Sequence, residues 1–357
     1  MASLLKDLYS KEFIEKLGEK LFMVYPKFEK KEFIENVFCS TWQELELKPR
    51  MRHISTTLHK FLPFSYKEQL DILKKVKEDF GGLEAMIFQD FVEVFGLDDL
   101  KESLKALEVF TIDSSSEFAI RQFILKYEEE TMNQMKLWAK SSNEHLRRLA
   151  SEGCRPRLPW AIALPKFKEN PKKVLEIIEL LKNDKSKYVQ KSVANNLNDI
   201  SKDNPNFVIE FVKNNLGFSK ELDFICRHGS RTLLKSGNIE VLKLFSFEKV
   251  SHINISDFYC DESVEIGQDL NFSFELNSDE KLGSIRVEYI IKYLKQKNKY
   301  SQKIFMITQS DFKEKLKRFN KKQSFKDMTT RKHIRGEHSL SIVINGEKVI
   351  EKPFVVN

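Results

Sequence analysis

The stretch NPKKVLEIIELLKN, from Asn170 to Asn183, decides the fold, because it returns in altered form as NPNFVIEFVKNN, from Asn204 to Asn215, 34 positions later. Each copy has an asparagine, then a proline at the expected first helical position, then apolar residues at three- and four-residue spacing. Between the copies lies KSKYVQKSVANNLNDI, which resembles the upstream segment HLRRLASEG. Such periods predict paired helices that stack as an α-solenoid, because one pair cannot bury its own apolar stripe.

The helical pattern covers the chain up to about Phe245 and gives way to short alternating, β-branched segments after about Ser246. We therefore predict a multidomain protein, with an all-α solenoid of the HEAT type over residues 1–245 and an all-β sandwich over residues 246–357. Six or seven short strands are expected in the sandwich, and Asn345-Gly346 is a turn signal between two of them.

Charge and composition narrow the function classes. The 357 residues carry a formal net charge of +7, which permits a polyanionic partner without requiring one. Between Lys292 and Arg335, fifteen Lys and Arg residues stand against three acids, so this block is either a phosphate-facing patch or a solvated surface.

The four cysteines lie far apart, which argues against a metal site and predicts free thiols. No apolar run reaches membrane-spanning length and no secretory leader is evident, so we expect a cytoplasmic protein.

The segment EHLRRLASEGCRPRLPW, from Glu144 to Trp160, is unusual for a helical repeat. Several arginines surround one carboxylate, Glu152, and Arg148 stands four positions before it. One interpretation is an ordinary surface ion pair beside a tryptophan that packs between repeats. Such an ion pair stabilises the folded chain by only about 0.3–0.5 kcal/mol. The other is a DNA glycosylase site. There a carboxylate stabilises the oxocarbenium sugar, arginines hold phosphates, and an aromatic ring contacts a cationic base.

The chain resembles the HEAT-like DNA alkylation-repair glycosylases of the AlkC type. The resemblance is carried by RRLASEGCRPRLPW, SSSEFAIRQFI from Ser114, SVANNLNDISKDNP from Ser192 and RHGSRTLLKSG from Arg227. The tail SFKDMTTRKHIRGEHSLSIVING, from Ser324, is similar to the immunoglobulin-like domain that some members append. The resemblance implies excision of cationic bases such as 3-methyladenine and 3-methylcytosine from duplex DNA, with water as nucleophile and no metal or cofactor.

The resemblance also implies roles for individual residues. Glu152 and Glu117 correspond to active-site carboxylates, Trp160 to the aromatic residue at the lesion, and Asp199 to a third acid. The implied DNA contacts, together with basic residues chosen from charge alone, are Arg148, Arg155, Arg157, Lys191, Arg231, Lys326, Arg331, Lys332 and Arg335. We expect a monomer without an obligate protein partner, bound to DNA in the bacterial nucleoid.

Simpler interpretations remain open for single residues and for the whole chain. Glu117 fits a first-turn acid favoured by the helix dipole, and Asp199 fits a solvated residue at a helix end. Trp138 and Trp42 fit core positions better than a site. The alternative function is a non-catalytic HEAT-repeat scaffold that binds DNA or protein, because solenoids serve binding more often than catalysis.

Overall fold

A computed structural model describes residues 5–62, 65–249, 251–328 and 332–357. The chain divides into two compact units, Met1–Gly229 and Ser230–Asn357. Each unit is described separately below. The solenoid-plus-sandwich architecture predicted from the sequence is confirmed.

The described part of the first unit contains fourteen α-helices. They are α1 (Lys11–Val24), α2 (Lys30–Val37), α3 (Leu47–Phe61), α4 (Tyr66–Lys77), α5 (Met86–Phe95), α6 (Leu100–Phe110), α7 (Ile120–Lys126), α8 (Glu128–Trp138), α9 (Glu144–Gly153), α10 (Pro165–Glu169), α11 (Lys172–Leu181), α12 (Lys187–Ile200), α13 (Pro205–Asn215) and α14 (Lys220–Gly229).

Local sequence signals explain where many of these helices begin. The side chain of Ser10 accepts a hydrogen bond from the Phe13 backbone N–H at 3.2 Å, and Asn143 caps α9 in the same way. Pro205 occupies the first position of α13, as predicted. Pro171 differs, because it stands just before α11 as its cap residue. Relative to its proline, the helix therefore begins one residue later in the first repeat copy than in the second.

Three helices form a row that carries the candidate site, since α12 packs against α9 on one side and α14 on the other. Close packing at the end of α9 requires a glycine. A Cβ on Gly153 would lie 2.7 Å from Ile120 Cγ2 and 2.9 Å from Met135 Cε, inside normal contact distance. Gly153 thus lets α9 end against α7 and α8 and sets the starting point of the Pro-rich segment that follows.

Within its described residues the second unit holds two short α-helices, eight strands, a 3-10 turn over Gln296–Asn298 and the loops between them. These elements are α15 (Arg231–Lys235), α16 (Ile239–Leu244), β1 (Asn254–Cys260), β2 (Ser263–Val264), β3 (Asp269–Asn277), β4 (Gly283–Lys295), β5 (Lys299–Phe312), β6 (Leu316–Ser324), β7 (Gly336–Ile344) and β8 (Glu347–Val356).

The strands form two sheets, with orders β1-β3-β6 and β2-β8-β7-β4-β5. Alternate side chains of β3, including Phe272 and Phe274, pack against Val287 and Ile291 of β4 in a shared core. Asn345 and Gly346 both have positive φ and join β7 to β8, which is the two-residue hairpin that the Asn-Gly pair predicts. The sequence predicted six or seven strands, and the described residues form eight, one of which is the two-residue β2.

The free state of the cysteines and the core positions of two tryptophans agree with the sequence predictions. The four cysteines are free, and Cys154, Cys226 and Cys260 are buried. Trp42 and Trp138 lie in the core, as expected from their helical spacing. Among the described residues, no helix is both long enough and apolar enough to cross a membrane.

Candidate active site

Glu152, on the last turn of α9, is almost enclosed by protein, with 5% of its surface exposed. Its Oε1 accepts a hydrogen bond from Arg155 Nη1 at 2.5 Å and lies 3.6 Å from Arg148 Nη2. Its Oε2 accepts from the hydroxyl of Ser192, on α12, at 2.6 Å. Both carboxylate oxygens are therefore engaged, which removes the interpretation of an exposed ion pair.

Arg148 connects Glu152 to a second carboxylate, Glu117. Its Nη1 donates to Glu117 Oε2 and, at 2.6 Å, to the hydroxyl of Ser115. Ser115 in turn donates to Glu117 at 2.5 Å. Glu117 lies in the turn before α7, which begins at Ile120, and its strongest interactions are with these side chains. The position of Glu117 is therefore fixed by Arg148 and Ser115 more than by a helix end.

Arg155 extends the chain of contacts to a third acid. Its Nε donates to Asp199 Oδ2 at 2.8 Å, and Lys202 Nζ donates to Asp199 Oδ1 at 3.1 Å. Asp199 is 2% exposed, so it is not a solvated helix-end residue. We call the series Glu117–Arg148–Glu152–Arg155–Asp199 the charge row. In it every acid is held by an arginine and every arginine lies between two acids.

The electrostatics of the charge row keep its arginines ionised. Burial alone would lower the pKa of Arg148, but the opposite charges of Glu117 and Glu152 outweigh burial and raise it above its ordinary value. The pKa of Arg155 is raised for the same reason, with Glu152 and Asp199 outweighing its burial. Two permanently charged guanidinium groups thus stand among three carboxylates.

One end of the charge row reaches an open cavity. This cavity of about 400 Å³ is lined by Glu117 and Arg148, while Glu152 and Asp199 are enclosed behind them. The ring of Tyr188, on α12, forms part of the wall and is 42% exposed. The Arg148 guanidinium carbon lies 5.1 Å from the centre of that ring. The cavity therefore offers a carboxylate, a guanidinium and an aromatic face to one ligand.

Trp160 stands at the end of the Pro-rich segment after α9. It is 66% exposed and has a φ of 64°, which is rare for a residue with a bulky side chain. The side chain of Lys48, on α3, donates to the Trp160 carbonyl oxygen. The Trp160 ring faces outward rather than into the core, so it is available for contact with a ligand.

The chain is similar to two described protein families and to two known proteins. The family described as "DNA alkylation repair enzyme" matches residues 100–232, which contain the whole charge row. The family described as "Uncharacterised protein YhaZ, C-terminal Ig-like domain" matches residues 254–357. The Bacillus subtilis (strain 168) protein "Uncharacterized protein YhaZ" is 44% identical over 345 residues, covering 96% of both chains. The solved structure "Pseudomonas fluorescens alkylpurine DNA glycosylase AlkC bound to DNA containing an abasic site analog" is 33% identical. It covers 99% of this chain and 100% of its own, with a TM-score of 0.95.

This chain belongs to the AlkC family of DNA alkylation-repair proteins. The resemblance drawn from RRLASEGCRPRLPW is thereby confirmed, as is the immunoglobulin-like character of the second domain. The AlkC-family assignment concerns the whole chain, because both relatives match it nearly end to end.

The candidate DNA-contacting residues of this AlkC-family chain are dispersed in the structure. Arg157 donates two hydrogen bonds to Asp203, at 2.8 and 2.6 Å. Lys191 is exposed on α12, and Arg231 begins α15 and is half-buried. In the segment between β6 and β7, Lys326, Lys332 and Arg335 are exposed, and Arg331 lies outside the described residues.

Sequence reasoning missed three residues that organise the site of this AlkC-family member. They are Ser192, which holds Glu152, Tyr188, which lines the cavity, and Arg121, on α7. Arg121 is fully buried and donates to three backbone oxygens at the end of α9 and in the segment after it, those of Gly153, Arg155 and Ile162, at 3.0, 2.8 and 2.6 Å. Burial lowers the pKa of Arg121 to about 10, so it remains charged at neutral pH.

Two signals in the sequence could have revealed Ser192, Tyr188 and Arg121. Tyr188, Ser192, Asn196 and Asp199 recur at helical spacing along α12, which is a polar stripe on a helix that should bury an apolar one. Arg121 interrupts the apolar pattern of α7 in the same way. A charged or polar residue at a predicted core position indicates a buried network.

Proposed function

We propose that this chain is a hydrolytic DNA glycosylase that removes cationic N-alkylated bases from duplex DNA and leaves an abasic site. The observation that carries the proposal is the charge row, with one carboxylate, Glu117, at an open cavity and two others enclosed behind it. Membership of the AlkC family supports the proposal, as does the description of its Pseudomonas fluorescens relative as an alkylpurine DNA glycosylase bound to DNA.

The chemistry requires negative charge beside a sugar. A base alkylated at N3 is positively charged, so it leaves as a neutral molecule when the C1′–N bond breaks and takes the electron pair. The barrier lies in the positive charge that develops on the deoxyribose. In the proposed reaction Glu117 stabilises that charge and orients a water molecule, whose oxygen bonds to C1′ and whose proton passes to the carboxylate.

The enclosed acids have a different role in this proposal. Glu152 and Asp199 hold Arg148 and Arg155 with their guanidinium groups fixed, at 2.5 to 3.6 Å. Arg148, which lines the cavity, can bind a flanking phosphate from this fixed position without losing further side-chain entropy, whereas Arg155 is buried and holds Glu152 and Asp199 in place. Trp160 supplies an exposed ring for cation–π contact with the damaged base.

The immunoglobulin-like domain is proposed to strengthen the hold on DNA. Lys326, Lys332 and Arg335 are exposed on the segment between β6 and β7, and Arg331 belongs to the same segment of the sequence. Cationic side chains on one loop can enter a minor groove, where the potential of the duplex is most negative in A·T-rich sequence. The proposed partner is therefore duplex DNA with alkylated bases, bound by a monomer that needs no second protein.

The direct test is incubation with duplex DNA treated with a methylating agent, followed by chromatography of the released bases. Free 3-methyladenine or 3-methylcytosine is expected, together with abasic sites in unbroken strands. Strand breaks, or trapping of the protein on DNA by borohydride, would contradict a purely hydrolytic mechanism, because a lyase step needs an amine nucleophile. DNA binding without any base release would instead favour the non-catalytic scaffold.

A further inference from the structure

A second concave surface lies on the far side of α12 from the charge row, between α12 and α14. We call it the lysine groove. It has a volume of about 520 Å³, and the residues of its lining that matter here are Lys185, Lys187, Lys191, Lys220, Glu221 and Phe224. It is separate from the cavity at Glu117, which has its own lining.

The cations of the lysine groove differ from the other cations near the site. Arg147 and Arg157 are paired with Asp184 and Asp203 at 2.5 to 3.1 Å. In contrast, the four groove lysines are exposed, and no partner in the described part of the chain forms an ion pair or hydrogen bond with any of their ammonium groups. With a single acid, Glu221, in the lining, the groove is suited to a polyanion.

The floor of the lysine groove contains an aromatic ring that is held in place. Phe224 is 42% exposed, and its ring stacks on the imidazole of His228 with centroids 5.5 Å apart and planes 9° apart. His228 is itself hydrogen-bonded to Asn195, on α12, at 3.2 Å. The ring is therefore preorganised, and a large part of its surface remains open to a flat partner.

We infer that the lysine groove binds a segment of single-stranded DNA, with its phosphates on the lysines and one unstacked base on Phe224. Unpaired lysines that follow a backbone, combined with an exposed aromatic ring, are the chemistry that single-strand binding uses. A continuous duplex hides its base faces inside the stack, so it can use the lysines and has no face to offer Phe224.

The position of the lysine groove connects it to the proposed reaction. Tyr188 and Ser192 of α12 contact Arg148 and Glu152, while Lys187 and Lys191 of the same helix line the groove. Because only the width of α12 separates the charge row from the lysine groove, a DNA strand that is unstacked near the charge row can reach the groove. The inference rests on the proposed function only in taking DNA as the ligand, and excision plays no part in its test.

The test measures binding of undamaged DNA to the full chain by fluorescence anisotropy. One probe is a labelled thymidine oligonucleotide of about 8 nucleotides, within the site size of single-strand grooves, and the other is a duplex of about 20 base pairs, which is long enough to stay paired. Phe224→Leu keeps the apolar volume and removes the aromatic face. It is expected to weaken single-strand binding about 5-fold or more and to leave duplex binding nearly unchanged. Phe218→Leu is the matched control, because Phe218 is 77% exposed in the loop before α14.

A second variant tests the cations. The substitution of Lys187, Lys191 and Lys220 by alanine should reduce the slope of log K against log salt for the single strand by about 2, at roughly 0.7 for each phosphate that a lysine no longer neutralises. Lys75→Ala is the control. Lys75 is also an exposed lysine, but it lies on α4, which packs against α1 and α6 and does not line the groove. Far-ultraviolet circular dichroism checks that each variant is folded.

Three results would overturn the inference. They are no single-strand binding by the unmodified chain, equal reductions in affinity for the two probes with Phe224→Leu, or an equal reduction with Phe218→Leu. A chain that binds the oligonucleotide in the groove and releases no methylated base would refute the proposed function and leave the inference standing. A chain that releases methylated base and does not bind the oligonucleotide would refute the inference and leave the proposed function standing.

Discussion

Replacing Glu117 by glutamine should abolish most of the excision activity without weakening DNA binding. Glu117 is the carboxylate of the charge row that lines the cavity, and the substitution keeps its shape while removing its charge. The amide oxygen can still accept from Arg148 or from Ser115, which both donate to Glu117 Oε2 in the unmodified chain. The variant therefore removes the interaction with the sugar cation and retains most of the local geometry.

The magnitude follows from the distance at which the charge acts. A carboxylate about 4 Å from a developing unit charge contributes about 4 kcal/mol at an effective dielectric constant near 20, which suits a partly buried site. Only part of a unit charge develops on the sugar in the transition state, so we expect the carboxylate to stabilise that state by about 3 kcal/mol. This corresponds to roughly 10²-fold in rate. Binding of undamaged duplex should change little, because removing a negative charge does not weaken attraction to phosphate.

The assay is single-turnover release of 3-methyladenine from a duplex with one lesion, read by chromatography, at protein concentrations above the dissociation constant. Glu130→Gln is the matched control, since Glu130 is an exposed acid on α8. Glu152→Gln is the informative comparison. Glu152 is enclosed by Arg148, Arg155 and Ser192, so its loss should lower thermal stability as well as activity.

A Glu117→Gln variant that excises at the normal rate would refute the assignment of Glu117. A variant whose activity falls only in proportion to its folded fraction would refute it as well. If instead Glu152→Gln loses activity at full stability while Glu117→Gln does not, the two carboxylates have exchanged roles relative to the proposal.

Three further predictions concern other parts of the chain. Arg121→Met should lower the free energy of unfolding in urea by about 2–4 kcal/mol, because three backbone oxygens lose a charged donor, and added guanidinium at low concentration should partly restore excision. His338 has its pKa lowered from 6.5, first by burial, so the unfolded chain binds more protons than the folded one below about pH 6.5. Stability should therefore fall as the pH falls through that range, and His338→Gln should flatten the profile of melting temperature against pH. Replacing Lys326, Lys332 and Arg335 by alanine should weaken binding of undamaged duplex and reduce its salt slope by about 2 to 3, and an unchanged slope would rule out their contact with phosphate.

Much of the fold could be predicted because it depends on periodicity. The 34-residue return of the Asn-Pro motif required stacked helix pairs, and the Asn345-Gly346 pair required a tight hairpin. The phase of Pro171 could not be predicted, because a proline is tolerated both at a helix cap and at the first helical position. The domain limit placed after residue 245 remains a prediction. The sheet begins at Asn254, and the compact units divide after Gly229.

The residue types of the site were evident from the sequence, but their accessibility was not. Glu152 is central in the most distinctive motif, and yet both its oxygens are occupied and the residue is buried. Its partner Ser192 comes from a different repeat, 40 positions away. Sequence spacing within one helix shows which residues share a face. Whether that face is buried depends on how a neighbouring repeat packs against it, which the spacing does not show.

The charge row reconciles two demands that would otherwise conflict. A protein that holds DNA needs positive potential, whereas a sugar cation in the transition state needs negative potential at the same place. The charge row holds three acids against two arginines, and Lys202 pairs with the third acid, Asp199, so the cluster as a whole is close to neutral within a chain whose net charge is +7. A lone carboxylate facing phosphates would be repelled from them, but one anchored to Arg148 is held close to them by its ion pair. In the proposed mechanism the enclosed acids, Glu152 and Asp199, offset the charges of Arg148 and Arg155, so that these arginines do not cancel the negative charge of Glu117.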